Sequence, residues 1–248
     1  MQSIGLVAPD SDGFFQVVPK LGPNVIGVMR GSDPALRDQI VVIAAHYDHI
    51  GISDAVAGDS INNGADDDAS GVTAILEIAR ALKAGTPPRR TVVFIATTGE
   101  EEGTLGTEYY VAHPKFPLSQ MVAEMEVEMI GRPDSLAGGV GKGWLTGYDR
   151  STMGDMLKAQ GVPIVADPYP QMHFFERSDN IVFAKMGIPA HTLSSYNMHS
   201  DYHRVTDDVD KIDFAHVTEV IRAGAVAAGI LANGPVPTWK DGGRPAAN

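Results

Sequence analysis

The sequence predicts an α/β fold: a three-layer sandwich with a mixed, mostly parallel central sheet and helices on both faces. Three observations predict it. The runs 40–45 and 91–97 are short, apolar and rich in β-branched residues, without polar alternation, as strands covered on both faces are. Apolar-periodic stretches of helical length, such as 72–83 and 212–232, are interleaved with such runs. The strand runs also end abruptly in His, Asp and Glu, where an open α/β sheet offers a ligand the crevice beyond its carboxyl ends.

Taken in order, 14–18 and 24–29 read as strands separated by a Pro-bounded turn, and 31–37 is a polar turn. The strand 40–45 runs into His46, Tyr47, Asp48 and His49. A Gly, Asp, Ser and Asn loop covers 51–63, and Asp66, Asp67 and Asp68 precede the helix 72–83. One Asp suffices to cap a helix, so three in a row exceed that need. A Pro-rich turn at 85–90 leads to the strand 91–97, which delivers Thr98, Gly99 and Glu100 to Glu102.

A short helix is expected at 105–112. The run 121–130 alternates, with Met121, Ala123, Met125, Val127 and Met129 on one side and Val122, Glu124, Glu126, Glu128 and Ile130 on the other. That pattern reads as a half-exposed strand with a polar face. Beyond it come a Gly-rich strand and loop at 136–146, a helix at 151–160, a strand at 162–166 and an aromatic, Pro-rich loop at 167–177. A helix at 179–186 capped by Ser178 precedes the strand 188–194, and the His-, Asp- and Tyr-rich loop 195–210 leads to the helix 212–232. Residues 1–234 are expected to form one domain, with 235–248 a C-terminal surface tail.

A chain of 248 residues with 44% hydrophobic residues can bury a sizeable core. Its net charge of −12 argues against nucleic acid or an anionic membrane surface as the main partner, because both need a basic face. No apolar run is expected to span a membrane, and the first thirteen residues lack the parts of a signal peptide. With no cysteine, any metal must be held by His, Asp and Glu.

Each candidate has a bland counterpart. His46 and Asp48 project to the same side of a strand end, where a carboxylate can orient a liganding imidazole, yet a polar strand end with a satisfied histidine looks the same. Glu100 to Glu102 resemble a solvated charge run, but they follow a buried strand and precede a Gly turn. Glu128, the last glutamate before the Gly131 break, is the one best placed to reach a strand-end site.

The ordered set HYD, GADDDASG, TGEEEGTLGT, EMIGR, RSDN with MGIPAHT, and HSDYHRVTDD resembles the two-zinc aminopeptidase family. That family includes bacterial leucyl aminopeptidases, and glutamate carboxypeptidase II and the glutaminyl cyclases are relatives. The similarity runs over about 24–232. It implies that Asp67 bridges two Zn²⁺ ions, with His46 and Glu128 on one and Glu101 and His203 on the other. It also implies Glu100 as general base for a zinc-bridged water, Tyr202 as oxyanion stabiliser, and Asp48 and Asp207 as partners orienting His46 and His203. Glu128 departs from the family's Asp, and the extra methylene alters reach and chelation.

The resemblance therefore implies an exopeptidase that hydrolyses the N-terminal bond of peptide substrates and, from its relatives, a periplasmic or secreted location. A carboxypeptidase or dipeptidase of the same fold would need a basic clamp, for which Arg132, Arg150, Arg177 and Arg204 are candidates, Arg204 foremost. A glutaminyl cyclase typically keeps one working zinc, which the presence of both His46 and Glu128 disfavours. A non-catalytic interaction module would be expected to have lost ligands or the base, and here every position is filled.

Overall fold

The computed structural model describes residues 1–246. Eight of its strands form one mixed sheet: β1 (Phe15–Gln16), β2 (Asn24–Met29), β3 (Ile40–His46), β6 (Thr91–Thr97), β7 (Met121–Val127), β8 (Gly143–Leu145), β9 (Ile164–Ala166) and β10 (Ala190–Ser194). A separate antiparallel hairpin pairs β4 (Ile52–Val56) with β5 (Asp59–Ile61). The large sheet has the order β1-β2-β6-β3-β7-β10-β8-β9. Its centre, β6-β3-β7-β10, is all parallel, and antiparallel pairs β1/β2, β2/β6 and β8/β10 flank it.

Alternation along the central strands sends side chains to two cores. On β3, Val41, Ile43 and Ala45 join one core, where helices α1 (Gly71–Ala84) and α5 (Phe214–Asn233) pack together with α3 (Met153–Ala159). Ile40, Val42 and Ala44 join the other, under α2 (Leu105–Ala112) and α4 (Asn180–Lys185). This is the expected three-layer arrangement. Because the four central strands are parallel, their carboxyl ends at Thr97, His46, Val127 and Ser194 emerge along one edge, with His46 paired to Thr97 and Val127 to Leu193.

Four details differ from the sequence reading. The loop expected at 51–63 contains the β4–β5 hairpin, whose residues are almost all exposed. β7 ends at Val127, and its glutamate face is buried, not half-exposed: Glu124 and Glu126 are fully covered, with α4 packed on that strand. Helix α5 is long and apolar enough to cross a membrane by length and composition alone, although no such run was expected. Its buried residues, including Val217, Val220, Gly224, Ala227 and Leu231, recur at the three-to-four spacing of a helix lying on a core.

Lastly, the stretch expected as a surface tail is docked onto the fold through Thr238, Trp239 and Lys240, and residues 247–248 of that expectation lie outside the described residues. Trp239 bridges Ser151 and donates its indole N–H to the Gly187 carbonyl at 2.9 Å. Thr238 N–H donates to Thr152 Oγ1 and Lys240 N–H to the Arg150 carbonyl, each at 2.9 Å.

Candidate metal centre

The residues singled out as ligands lie at the carboxyl edge of the sheet, in the turn beside it, or, for His203, in the loop that follows β10. His46 is the last residue of β3, Glu100 and Glu101 follow β6, and Glu128 follows β7. Asp67 lies in the turn Ala65–Ser70, whose backbone leaves helical angles at Asp67 and Asp68 before α1 begins. This turn uses its three aspartates differently. Asp66 accepts the Gly131 N–H at 2.6 Å and faces His199 Nε2 at 2.9 Å. Asp68 accepts the N–H groups of Gly71 and Met129, each at 3.0 Å, stitching the start of α1 to the end of β7. Asp67 alone is left to face the other ligands.

Its two carboxylate oxygens point to different imidazoles: Oδ1 is 3.2 Å from His46 Nε2, and Oδ2 is 3.2 Å from His203 Nε2. Glu128 Oε1 lies 4.0 Å from His46 Nε2, and Glu101 Oε2 lies 3.0 Å from His203 Nε2. The longer side chain at 128 thus still reaches the group. Candidate donor atoms of His46, Asp67 and Glu128 fall within 4.8 Å of one another, as do those of His49, Asp67, Glu101 and His203. Asp67 belongs to both sets.

The donor chemistry fits zinc. Imidazole nitrogens and carboxylate oxygens converge without thiolates, a combination zinc accepts. His46 Nε2 and His203 Nε2 are buried and make no hydrogen bond of their own, so each has an unused donor position aimed at the cluster.

The supporting partners are not all those expected. His46 Nδ1 lies 3.1 Å from the backbone carbonyl of Asp48, which fixes Nδ1 as the protonated nitrogen and leaves Nε2 its lone pair. The Asp48 carboxylate is 3.8 Å from that nitrogen and instead accepts the N–H groups of Glu100 and Glu101, each at 3.2 Å. Asp207 does not meet His203. Its Oδ2 accepts the N–H groups of Asp66 and Asp67 at 3.0 and 3.1 Å, and its Oδ1 takes Arg132 Nη2 at 3.2 Å. Asp207 therefore holds the aspartate turn, which its distance along the chain conceals.

His49 was not anticipated. Its Nδ1 lies 2.8 Å from Glu101 Oε1, and the second histidine of HYDH was the only signal for it.

Packing so many carboxylates together perturbs their protonation. Burial, then the neighbouring Glu128 carboxylate, pushes Glu100 up to about 9. Burial also raises Glu128 to about 7, with Asp67 adding to the effect against the opposing pull of His46. Burial would raise Asp67 too, but the imidazoles of His203 and His46 outweigh it and hold this carboxyl well below its ordinary value. Asp67, then Glu101, pushes His203 up to about 9. Cations delivered here relieve this crowding and favour deprotonated glutamates and neutral imidazoles.

Beside the cluster lies a cavity of about 250 Å³, lined by Asp67, Glu100, Glu101, Glu128 and Tyr202 and by the aromatic rings of Trp144, Phe174 and Tyr196. The Tyr202 ring stacks on His203 with centroids 3.9 Å apart. Burial, then Asp67 and Glu128, raises the Tyr202 phenol above its usual range, so it stays a hydrogen-bond donor. Of the four candidate arginines, only Arg177 lines this cavity, with its guanidinium 5.1 Å from the Phe174 ring centroid. Arg132 pairs with Asp201 and Asp207 and Arg150 with Glu176, and Arg204, the foremost candidate, lies outside the lining.

A parallel-centred sheet with a carboxylate–imidazole cluster at its carboxyl edge is an arrangement that a metal-dependent hydrolase can use. Residues 24–227 match the model of peptidase family M28, and the chain belongs to this family of zinc metallopeptidases. A probable zinc metalloprotease of Leptosphaeria maculans is 33% identical over 108 residues, 44% of this chain and 24% of that protein. Aminopeptidase YwaD of Bacillus subtilis is 34% identical over 109 residues, 44% of this chain and 22% of that protein. The structure of an aminopeptidase from Aneurinibacillus sp. strain AM-1 superposes with a TM-score of 0.66 at 24% identity, covering 86% of this chain and 48% of that one. The chain spans about a quarter or less of these curated relatives and about half of that structure.

Proposed function

We propose that this chain is a two-zinc exopeptidase that removes residues from the N-terminus of peptides. The observation that carries the reading is Asp67, whose two oxygens each face a different histidine at 3.2 Å, as a carboxylate shared by two ions must. In this reading His46, Asp67 and Glu128 hold one ion, and Asp67, Glu101 and His203 hold the other. Bound zinc would supply Lewis acidity toward the scissile carbonyl and lower the pKa of water.

The remaining work falls to the chain. Glu100 lines the cavity beside both donor sets, and its backbone is fixed by Asp48, so its carboxylate can take the water's proton and pass it to the leaving amine. Tyr202 donates its hydroxyl to the developing oxyanion. Trp144, Phe174 and Tyr196 offer an apolar wall to a substrate side chain. The name of the B. subtilis relative supports removal from the N-terminus.

Arg177 favours a second reading. It lines the cavity and has no carboxylate within 4 Å among the described residues, so it could clamp the free C-terminus of a substrate. A peptide panel with added Zn²⁺, analysed by mass spectrometry, decides. Loss of single residues that requires a free N-terminus and tolerates C-terminal amidation supports the aminopeptidase. Cleavage that requires the free C-terminus replaces it with the carboxypeptidase.

A further inference from the structure

We propose that His49 is a fourth protein donor to the ion held by Asp67, Glu101 and His203, which makes the two zinc positions unequal. This rests on the two-zinc reading above and goes beyond it. One position becomes closed by protein, and the other, with three protein donors, stays open to substrate.

The geometry carries the assignment. Four donors around zinc at about 2.0–2.1 Å form a tetrahedron whose edges are about 3.3 Å. One donor atom from each of the four residues lies within 4.8 Å of the others, and Glu101 turns Oε1 to His49 and Oε2 to His203. His49 Nδ1 is 2.8 Å from Glu101 Oε1 and 3.9 Å from Asp67 Oδ2. His203 Nε2 is 3.0 Å from Glu101 Oε2 and 3.2 Å from Asp67 Oδ2. Among the described residues, no fourth His or carboxylate joins His46, Asp67 and Glu128 in the same way.

The His49 ring is also held in place. Its side chain is only 10% exposed, and it lies edge-on to His203 with ring centroids 5.6 Å apart. On its other side is Gly64, at a φ of +62°, where a Cβ would come within 2.9 Å of the imidazole. Any other residue at 64 would meet the Asp67 carbonyl as well as the ring. Gly64 thus supplies both the left-handed turn into the aspartates and the room for a donor.

Donors from four protein residues would fill this ion's shell, as in zinc sites that serve structure, whereas sites that serve chemistry keep a position free. The closed ion would anchor the loop bearing Tyr202 and His203. The ion of His46 and Glu128 would be the one that accepts substrate.

The test titrates metal-free protein with Zn²⁺ alone, measures release by chelator competition, and counts imidazole donors by X-ray absorption. Wild type is expected to bind two ions, to release them in two separated steps, and to show three imidazoles over the pair. His49→Gln should weaken the tighter step by about 10–100-fold, leave the looser one in place, and show two imidazoles. Two bound ions with only two imidazoles in wild type, or release steps unchanged in the variant, overturn this proposal and leave the two-zinc reading standing. Fewer than two ions in wild type overturn both. The imidazole count is made on wild type, so it does not depend on the variant folding.

Discussion

The carboxylate of Asp48 accepts the backbone N–H of Glu100 at 3.2 Å, so the end of β3 fixes the residue proposed as general base at the end of β6. The same carboxylate holds Glu101 N–H, tying a proposed ligand and the base to one anchor. Proton transfer depends steeply on position, and a misplacement of about 1 Å can cost on the order of 100-fold in rate. Asp48→Ala should therefore lower kcat by about 10–100-fold with KM little changed, and Asp48→Asn, which keeps an acceptor oxygen, should lose less. Steady-state kinetics on zinc-loaded protein checks this, and equal rates in all three proteins would remove Asp48 from the positioning role.

Glu100→Gln separates chemistry from binding. Glutamine keeps the shape but cannot take a proton, and Glu100 lies outside both donor sets. The variant should retain its zinc and its thermal midpoint while kcat falls by about 10²–10⁴-fold. Zinc analysis beside turnover on one peptide decides it, and undiminished turnover would reassign the base.

Much of this was legible in the sequence because the central strands and the site share one cause. Residues 40–45 and 91–97 are apolar on both faces since helices cover both, and such strands put their terminal residues on one edge. What stayed hidden depends on packing between distant segments. The Glu124 and Glu126 face alternates as a solvated face would, and nothing within 121–130 reveals that α4 covers it, with Asn180 N–H and the Ser178 hydroxyl donating to Glu126. Likewise, His49 becomes a neighbour of Glu101 because β3 and β6 pair side by side with His46 opposite Thr97, and Asp207 finds Asp66 and Asp67 some 140 residues away.

That long-range contact makes its own prediction. Asp207 accepts the N–H of Asp67, the residue shared by both donor sets, so losing it should disturb both ions and not one alone. Asp207→Ala should weaken zinc at both positions by about 10–100-fold, the range seen when a ligand's supporting partner is removed. Chelator competition reads both steps, and weakening confined to the step that His203 governs would restore Asp207 to the orienting role expected from the sequence.

His191, away from the cluster, makes stability depend on pH. Its Nδ1 donates to the Thr146 carbonyl at 2.7 Å, so Nε2 is the acceptor for the Ser151 hydroxyl, also at 2.7 Å. Burial, against a partial opposing pull from that carbonyl, lowers its pKa from 6.5 to about 4. The unfolded chain then takes up a proton near pH 6.5 while the folded chain resists until about pH 4. Stability from this group is whole above pH 6.5 and is lost as pH falls through that window, by on the order of 3 kcal/mol. His191→Gln should be less stable at pH 7.5, because it gives up two buried hydrogen bonds, yet its stability should fall less steeply between pH 6.5 and 4.5. Urea unfolding of the two metal-free proteins across that range measures the difference, in which carboxylates and histidines common to both cancel. Parallel slopes would mean that His191 takes its proton in the folded state as readily as in the unfolded one.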